Sequence, residues 1–222
     1  AQALSAARIF GELGRPGLEL LLKTHGTEAP SAWVQRWSHL VPASGSVLDV
    51  ACGHGRHMRW FAQRRHAVTG VDRSAEAIAA VAGLGRAIEA DMENGPWPLD
   101  GETFDAVVVT NYLWRPVFEP LIASMKPGGV LVFETFSAGQ ETVGKPSRPA
   151  FLLAPNEAVA LCGSLRVVAF EDGFEPENTN TAQRFVQRIV GIKEDVDQVS
   201  AKRYPLKPLY THAYELKMRR PY

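Results

Sequence analysis

Cysteine is scarce in this 222-residue chain, which contains only Cys52 and Cys162. Two isolated cysteines provide neither a disulfide framework nor a metal-binding spacing, so we expect a reducing compartment and no bound metal. An excess of either charge is also lacking, because 24 basic residues balance 24 acidic ones. No overall field therefore favours nucleic acid or an anionic membrane surface as a partner, and nucleic acid is not the expected ligand.

Long apolar runs are missing as well. No stretch reaches the length of a membrane span, and the first residues lack the basic start and the apolar core of a signal peptide. These absences predict a soluble, cytoplasmic protein that has no membrane partner. The chain length suits one well-buried core, so one main domain is the expectation.

One stretch carries a clear structural pattern, from Val47 to Gly55, with the sequence Val-Leu-Asp-Val-Ala-Cys-Gly-His-Gly. Its compact apolar beginning predicts a buried parallel strand, and its glycines predict a sharp turn into a helix that begins near His57. Glycine lets the backbone pass close to a ligand, and the start of a helix offers unpaired N–H groups. The stretch therefore predicts a nucleotide site made of strand, loop and helix.

A third glycine is absent from this loop. Folds that bind dinucleotides space three glycines as G-x-G-x-x-G, but Met58 occupies the third position here. Asp49 lies at the end of the predicted strand, where its carboxylate would repel a pyrophosphate and attract a cation. Both features argue against a nicotinamide-dependent oxidoreductase. A sulfonium compound with an α-amino group is a cation that would suit the site.

The run Asp49-x-Ala51-Cys52-Gly53-x-Gly55 resembles the D-x-G-C-G-x-G signature of class I S-adenosylmethionine-dependent methyltransferases, with Ala51 in place of the first glycine. This resemblance implies an α/β, Rossmann-like methyltransferase fold, in which a doubly wound, mostly parallel seven-stranded sheet has an antiparallel final strand. It also implies S-adenosylmethionine as the cofactor and S-adenosylhomocysteine as the product. A glycine turn in some other parallel sheet is the alternative.

Two further acids follow predicted strands. Asp72 ends the second strand and lies 19 residues after Gly53, close to the spacing of an acid that binds ribose hydroxyls. Capping of the next helix is its alternative role, although Ser74 is available as the cap. After the third strand, the family places an acid at the adenine amino group and packs the ring with the next residue, which suits Asp91 and Met92. The residues expected to contact the cofactor are Asp49, Ala51, Gly53, Gly55, Asp72, Arg73, Asp91, Met92 and Asn111.

The acceptor is harder to predict. The fourth strand ends at Asn111-Tyr112-Leu113-Trp114, and the prolines of the N/D-P-P-F/Y pattern of adenine and glutamine methyltransferases are missing. A base or a glutamine amide is therefore disfavoured as the acceptor. Tyr112 and Trp114 either line a substrate pocket or cover the sheet. A long polar connection over residues 137–155 predicts a lid, from which Lys145 and Arg148 would contact the substrate. No catalytic base is evident.

Several local expectations follow from spacing. Ser31 is predicted to cap a helix with Trp33, Val34, Trp37 and Val41 on one face. This helix is expected to cover the sheet, and the alternative that the resemblance implies is that Arg36 reaches the carboxylate of the cofactor. Phe118, Leu121, Ile122 and Met125 predict one amphipathic helix that Lys126 to Gly129 ends. Leu165–Phe170 and Phe185–Ile192 predict the final hairpin. His54, Arg56 and His57 are expected to face solvent in the loop, as is Glu134 at a strand edge, where a role as a base is the alternative.

The predicted organisation is an N-terminal arm of unknown role (residues 1–30), a cofactor-binding methyltransferase domain (31–193) and a basic C-terminal tail (194–222). The tail either packs on the domain or meets an anionic partner. A small-molecule methyl acceptor is the first expectation. An RNA or protein methyltransferase that docks through the tail is one alternative, and a cofactor-binding module without catalysis is another. The oligomeric state is open.

Overall fold

A central sheet organises the described part of the chain. The computed structural model describes residues 28–177, 182–195 and 204–206. Its strands are β1 (Ser46–Val50), β2 (Ala67–Asp72), β3 (Arg86–Glu89), β4 (Phe104–Thr110), β5 (Met125–Phe136), β6 (Arg166–Glu175) and β7 (Arg184–Ile192). Its α-helices are α1 (Ala32–Trp37), α2 (Arg56–Ala62), α3 (Ala75–Ala80), α4 (Phe118–Ala123) and α5 (Glu157–Leu161).

The strand order is β3-β2-β1-β4-β5-β7-β6. Strands β1 to β5 pair in parallel, whereas β7 is antiparallel to both β5 and β6. The predicted fold, a mostly parallel seven-stranded sheet with an antiparallel final strand, is therefore confirmed. The order reverses between β1 and β4, and in open α/β sheets ligands bind at the carboxyl ends of the strands at such a reversal.

Apolar side chains cover the sheet on both faces. Strand β4 lies near the centre, and Val107, Val108 and Val109 are completely buried there, as expected for a parallel strand covered on both sides. One face packs against α1 and α2 through Trp33, Met58 and Phe61. The other face packs against α4 and α5 through Phe118, Leu121 and Ala158. The sheet is therefore doubly wound, as the sequence predicts.

The amphipathic helix predicted to extend through Met125 is wrong in its bounds. A 3₁₀ turn covers Arg115–Val117, α4 ends at Ala123, and Met125 begins β5 instead. Met125 still packs in the same core as Phe118. The apolar spacing therefore indicated that these residues share a core, not that they lie on one continuous helix. The strand pairing shifts register between Phe104 and Ala106, where the Lys126 to Gly129 turn enters β5.

Helix α1 is also shorter than its apolar pattern suggested. It ends at Trp37, a 3₁₀ turn covers Ser38–Leu40, and the buried Val41 follows this turn. Ser31 caps the helix as predicted, because its hydroxyl oxygen accepts hydrogen bonds from the N–H groups of Trp33 and Val34. Within the described residues, no helix is long and apolar enough to cross a membrane.

The predicted arm and tail lie largely outside the described residues. The part of the tail that is described packs against the domain. The Arg166 guanidinium lies 5.5 Å from the centroid of the Tyr204 ring, and His39 Nε2 lies 2.8 Å from the carbonyl oxygen of Pro205. At residues 204–206 the tail therefore covers the domain surface, while the anionic-partner alternative concerns residues that the structure does not describe.

Candidate functional site

The glycine loop follows β1 and has an unusual backbone. Ala51, Gly53 and Gly55 all have positive φ angles, of 55°, 51° and 76°. Left-handed backbone costs a residue with a β-carbon about 1–2 kcal/mol. Ala51 therefore adopts, with some strain, the conformation that the first glycine of the signature would adopt freely. A β-carbon at Gly53 would meet nothing within 4 Å, so this position opens onto the crevice above the loop.

Gly55 begins α2 and packs closely against the residues that follow α3. A β-carbon at Gly55 would lie 2.4 Å from Val81 Cγ1. Met58 is completely buried one turn further along α2, and its sulfur would lie 2.4 Å from a β-carbon at Gly70. The room that the missing third glycine would leave on the helix is therefore supplied by Gly70, a glycine on the facing strand β2.

Asp49 is almost wholly enclosed at the end of β1, with 3% of its surface exposed. Its Oδ1 lies 3.7 Å from His57 Nδ1, and its Oδ2 has no hydrogen-bond partner among the described residues. Removing a carboxylate from water without a partner costs several kcal/mol. A cationic group beside Asp49 would therefore stabilise this carboxylate.

Asp72 closes the loop from the neighbouring strand. Its Oδ2 accepts a hydrogen bond from the Gly53 N–H at 2.8 Å, and its Oδ1 accepts one from the Ser74 N–H at 2.9 Å. Ser74 itself caps α3 with its side chain, so the capping role is filled as predicted. Each carboxylate oxygen has two acceptor lone pairs, and the bonds to Gly53 and Ser74 use one on each.

A cavity of about 130 Å³ lies beside Asp72. Its lining includes Asp91 and Met92, which follow β3. Asp91 accepts hydrogen bonds from the Asn94 side-chain amide at 2.8 Å and from the Glu93 N–H at 3.0 Å. These bonds, the one from Asn94 first, lower the pKa of the Asp91 carboxyl. Its other lining residues are Ala51, Asp72, Arg73, Ala90, Glu93 and Tyr112.

A larger cavity of about 540 Å³ lies on the other side of the loop. Ala51 and Tyr112 line both cavities, so the two form one crevice that runs across the carboxyl ends of β1, β2 and β4. The larger cavity is lined by Glu28, Ala51, Cys52, Gly53, His54, Arg56, His57, Arg59, Thr110, Asn111 and Tyr112. Of the nine residues predicted to contact the cofactor, seven line one of the two cavities, while Asp49 and Gly55 lie in the strand end and loop beneath them.

Tyr112 stands where the cavities meet. Burial, followed by the carboxylates of Glu93 and Asp91, raises the pKa of Tyr112 to about 12. The hydroxyl is therefore protonated at neutral pH and has no hydrogen-bond partner among the described residues. Trp114 instead lines a neighbouring cavity of about 240 Å³ together with Trp97 and Met92.

The connection predicted to be a lid contains 3₁₀ turns at Gln140–Thr142 and Pro149–Phe151. Lys145 and Arg148 are exposed on it. Neither residue lines the cavities around the glycine loop or the neighbouring one beside Trp114. Their predicted contact with a substrate therefore stays a prediction.

Two expectations about polar residues are wrong. His57 is 2% exposed and Glu134 is 1% exposed, so neither faces solvent. Glu134 forms a buried ion pair with Arg188 of β7, whose sequence position gave no hint of a partner 54 residues away. Arg36 binds Glu171 on β6 at 2.9 Å and packs against Trp37. It therefore stabilises the α1 and β6 surface rather than reaching into the crevice.

Arg56, Arg59 and Thr110 line the larger cavity and were not predicted. Arg56 donates to the Thr110 hydroxyl at 3.3 Å and lies 3.8 Å from Glu28. The signal for both arginines was their position on the first turns of α2, directly after the glycine loop. Thr110, as the last residue of β4, followed the same strand-end logic as Asp49 and Asp72.

Cys52 offers no nucleophile in this crevice. Burial first, and then the carboxylates of Asp49 and Asp72, raise its pKa to about 12. The thiol is therefore protonated at neutral pH. Among the described residues, no group of three or more histidine, cysteine, aspartate or glutamate side chains is placed to hold a metal ion.

Comparison with known proteins agrees with this geometry. Residues 47–129 match a family model described as a methyltransferase domain. No curated protein matches the chain. The chain is similar to the crystal structure of TehB from Haemophilus influenzae, with 17% identity, a TM-score of 0.59, and coverage of 71% of this chain and 60% of that chain. The match thus spans less than two thirds of TehB.

Two other solved structures resemble the chain over more of their own length. A SAM-dependent methyltransferase from Methanosarcina mazei has 16% identity and a TM-score of 0.58, with coverage of 75% of this chain and 99% of that chain. A TehB-like SAM-dependent methyltransferase from Corynebacterium glutamicum has 17% identity and a TM-score of 0.55, with coverage of 73% and 87%. These likenesses show the fold.

The sheet order and the reversed β7 define a Rossmann-like methyltransferase fold, and residues 47–129 match a methyltransferase domain. The glycine loop and the carboxylates at successive strand ends lie inside the matched residues.

Proposed function

We propose that this enzyme transfers the methyl group of S-adenosylmethionine to a small-molecule acceptor, and that the cofactor lies along the crevice formed by the two cavities. The observation that carries the proposal is the buried, unpartnered Oδ2 of Asp49 at one side of the glycine loop, with Asp72 and Asp91 at the other. The amino acid end of the cofactor carries an ammonium group and a carboxylate, which suit Asp49 and the two arginines of the larger cavity. The nucleoside end is neutral and offers hydrogen-bond donors, which suit Asp72 and Asp91.

The amino acid end is assigned to the larger cavity. The α-ammonium group would meet Asp49 and relieve its missing partner, while the guanidinium groups of Arg56 and Arg59 would receive the α-carboxylate. Arg59 supports this role because its Nη2 is buried and has no hydrogen-bond partner among the described residues. Gly53 leaves room for the part of the cofactor between its ammonium and carboxylate groups, since a β-carbon there would point into open space.

The nucleoside end is assigned to the smaller cavity. Asp72 has acceptor lone pairs left for the ribose hydroxyls, and Arg73 lies beside it in the lining. Met92 is 9% exposed and gives the adenine ring an apolar, adaptable surface. Asp91 would accept from the adenine amino group, and the low pKa of its carboxyl keeps it ionised for this task.

The chemistry asks mainly for alignment. Bound S-adenosylmethionine supplies an activated methyl group, which a nucleophile takes by in-line displacement. The chain therefore has to orient the acceptor and exclude water rather than provide a strong base. Asn111, Tyr112 and Thr110 are the polar groups at the end of β4 that face this space. Since the Tyr112 hydroxyl keeps its proton at neutral pH, it would act as a hydrogen-bond donor toward the acceptor.

A small acceptor is favoured by the size and charge of the site. The larger cavity, at about 540 Å³, lies in the usual range for small-molecule sites and has to hold part of the cofactor as well. The balanced charge of the chain gives no general attraction for a polyanion. A macromolecular acceptor would have to dock through tail residues that lie outside the described part of the chain.

The test is calorimetry with S-adenosylhomocysteine on the wild type and on the Asp49→Asn variant. Loss of a charge-assisted contact worth about 1.5–3 kcal/mol should weaken binding by about tenfold or more. The free variant should melt no lower than the wild type, because it no longer buries an unpartnered charge. Asp100→Asn, at an exposed acid away from the crevice, is the control.

Unchanged affinity in Asp49→Asn would place the cofactor elsewhere. A screen of small acceptors for methyl transfer, read by mass spectrometry, then tests the activity. Binding of S-adenosylhomocysteine without transfer to any small acceptor would contradict the proposed small-molecule activity. Transfer to RNA or protein in the same assay would identify a macromolecular acceptor instead.

A further inference from the structure

The two ring nitrogens of the buried His57 face different parts of the molecule. Nε2 accepts a hydrogen bond from the backbone N–H of Ser31 at 3.2 Å. Because Nε2 accepts, the neutral ring carries its proton on Nδ1. Nδ1 lies 3.7 Å from Asp49 Oδ1, too far for a hydrogen bond but close enough for the N–H dipole to attract the carboxylate. The tautomer that accepts a hydrogen bond from the Ser31 N–H is therefore also the one that presents an N–H toward Asp49.

Ser31 joins the histidine to strand β5. Its hydroxyl donates to Glu134 Oε1 at 3.0 Å, and its oxygen accepts from the N–H of Trp33 at the start of α1. Glu134 is in turn held by the buried ion pair with Arg188. The N-terminus of α1 is thus fixed from two directions, by α2 and by β5.

Glu28, three residues before Ser31, forms part of the cavity wall. Glu28 lines the larger cavity and lies 3.8 Å from Arg56 Nη1. The place of this wall depends on Ser31, and the place of Ser31 depends in part on His57 Nε2. One imidazole therefore contacts both the wall of the cavity and the carboxylate beneath it.

We propose that His57 is a positioning residue with two separable tasks. Nε2 holds Ser31 and thereby the segment that places Glu28 in the wall of the cavity, and the Nδ1 proton orients Asp49 toward the ammonium group of the cofactor. The second task rests on the proposed cofactor site. His57 makes no contact of its own with the ammonium group and takes no part in methyl transfer.

Two substitutions separate the tasks. An asparagine amide occupies roughly the place of Nδ1, so His57→Asn keeps a donor toward Asp49 and loses the acceptor for Ser31. A glutamine amide reaches roughly the place of Nε2, so His57→Gln keeps the acceptor for Ser31 and loses the donor toward Asp49. Two probes then report on the cofactor site, S-adenosylhomocysteine and 5′-methylthioadenosine, which lacks the amino acid end.

Calorimetry should show that His57→Gln weakens the binding of S-adenosylhomocysteine about fivefold, as loss of a contact of average net hydrogen-bond strength would do. Binding of 5′-methylthioadenosine should change less than about twofold. His57→Asn should retain the affinity for S-adenosylhomocysteine within about threefold but lower the melting temperature by about 2–4 °C, because the Ser31 N–H loses its buried acceptor.

Equal weakening of both probes by His57→Gln would mean that the whole cavity is disturbed, and would overturn the positioning role. Unchanged affinity for S-adenosylhomocysteine would overturn it as well. If neither probe binds the wild type, the proposed cofactor site fails instead, so the two failures are distinguishable.

A pair of substitutions at Ser31 tests the first task independently. Ser31→Ala removes the hydroxyl but keeps the N–H, whereas Ser31→Pro also removes the N–H, and the φ of −49° at this position suits proline. Ser31→Pro should melt about 2–4 °C below Ser31→Ala in the wild-type background and match it in the His57→Asn background. An equal difference in both backgrounds would show that Nε2 does not hold the wall.

Discussion

Replacement of Asp72 by alanine should affect binding and stability by different amounts. The carboxylate has two structural tasks, since it accepts the N–H of Gly53 at 2.8 Å and that of Ser74 at 2.9 Å. It has one proposed functional task, which is to accept from the ribose hydroxyls. Asp72→Ala removes all three at once, so their magnitudes have to be considered separately.

The structural part is the smaller one. Hydrogen bonds to a charged group contribute about 1.5–3 kcal/mol each, but both N–H groups lie near an open crevice where water can replace the acceptor. About 1–2 kcal/mol in total is a reasonable expectation, which lowers the melting temperature by about 2–8 °C in a chain of this size. The ribose contact adds about 1.5–3 kcal/mol to binding alone, which corresponds to at least a tenfold loss of affinity.

Calorimetry with S-adenosylhomocysteine, beside thermal melting of the free protein, measures both numbers. Glu89→Ala is the matched control, because Glu89 pairs with Asp72 across β2 and β3 and is an exposed acid of the same charge. The control should change neither quantity appreciably. If Asp72→Ala lowers the melting temperature as expected yet binds S-adenosylhomocysteine with wild-type affinity, the carboxylate serves only the loop, and the ribose assignment is refuted.

Three further predictions follow from the loop and the ion pairs. In melting experiments Gly55→Ala should destabilise the protein by about 2–5 kcal/mol, because it adds left-handed strain and overpacking. Gly53→Ala should destabilise it by only about 1–2 kcal/mol. In calorimetry, however, Gly53→Ala should weaken the binding of S-adenosylhomocysteine. Glu134→Gln should lower the free energy of unfolding in urea by about 2–4 kcal/mol, since it removes one charge of a buried pair. Glu157, whose pKa is lowered first by its hydrogen bond from Arg115, should stabilise the protein above its ordinary pKa of 4.5. The melting difference between wild type and Glu157→Gln should therefore disappear as the pH falls below that value. An equal effect of the two glycine variants on stability, a neutral Glu134→Gln, or a pH-independent Glu157→Gln difference would contradict the respective argument.

Much of the fold was predictable because its strands are short, apolar and separated by clear turns. The ends of β2 and β4 and both bounds of β7 were predicted to within a residue, whereas β6 continues five residues beyond its predicted end at Phe170. The error at Met125 shows the limit of periodicity, since a residue buried in the same core as a helix needs not lie on that helix. Tertiary packing, which the local pattern does not contain, decided the end of α4.

The prediction of the site also succeeded where the signal was local and failed where it depended on tertiary packing. Strand-end acids and glycines are local signals, and they brought Asp72 and Asp91 to the lining of one cavity. His57 and Glu134 were misplaced because their partners are distant in the sequence, with Ser31 lying 26 and 103 residues away from them. A polar residue in a loop is normally solvated, and only the folded chain shows which partner encloses it.

The exchange of space between Gly70 and Met58 bears on how this enzyme tolerates change. The thioether of Met58 on α2 occupies the space that the absence of a side chain at Gly70 on β2 leaves free. Neither residue can therefore be replaced independently of the other. A side chain at position 70 would need a smaller residue at position 58 and also a shift of Cys52, whose sulfur would lie 2.8 Å from its β-carbon. Protein engineers who wish to restore the missing glycine of the loop should therefore alter both sites together, or they will leave a void beneath the glycine loop.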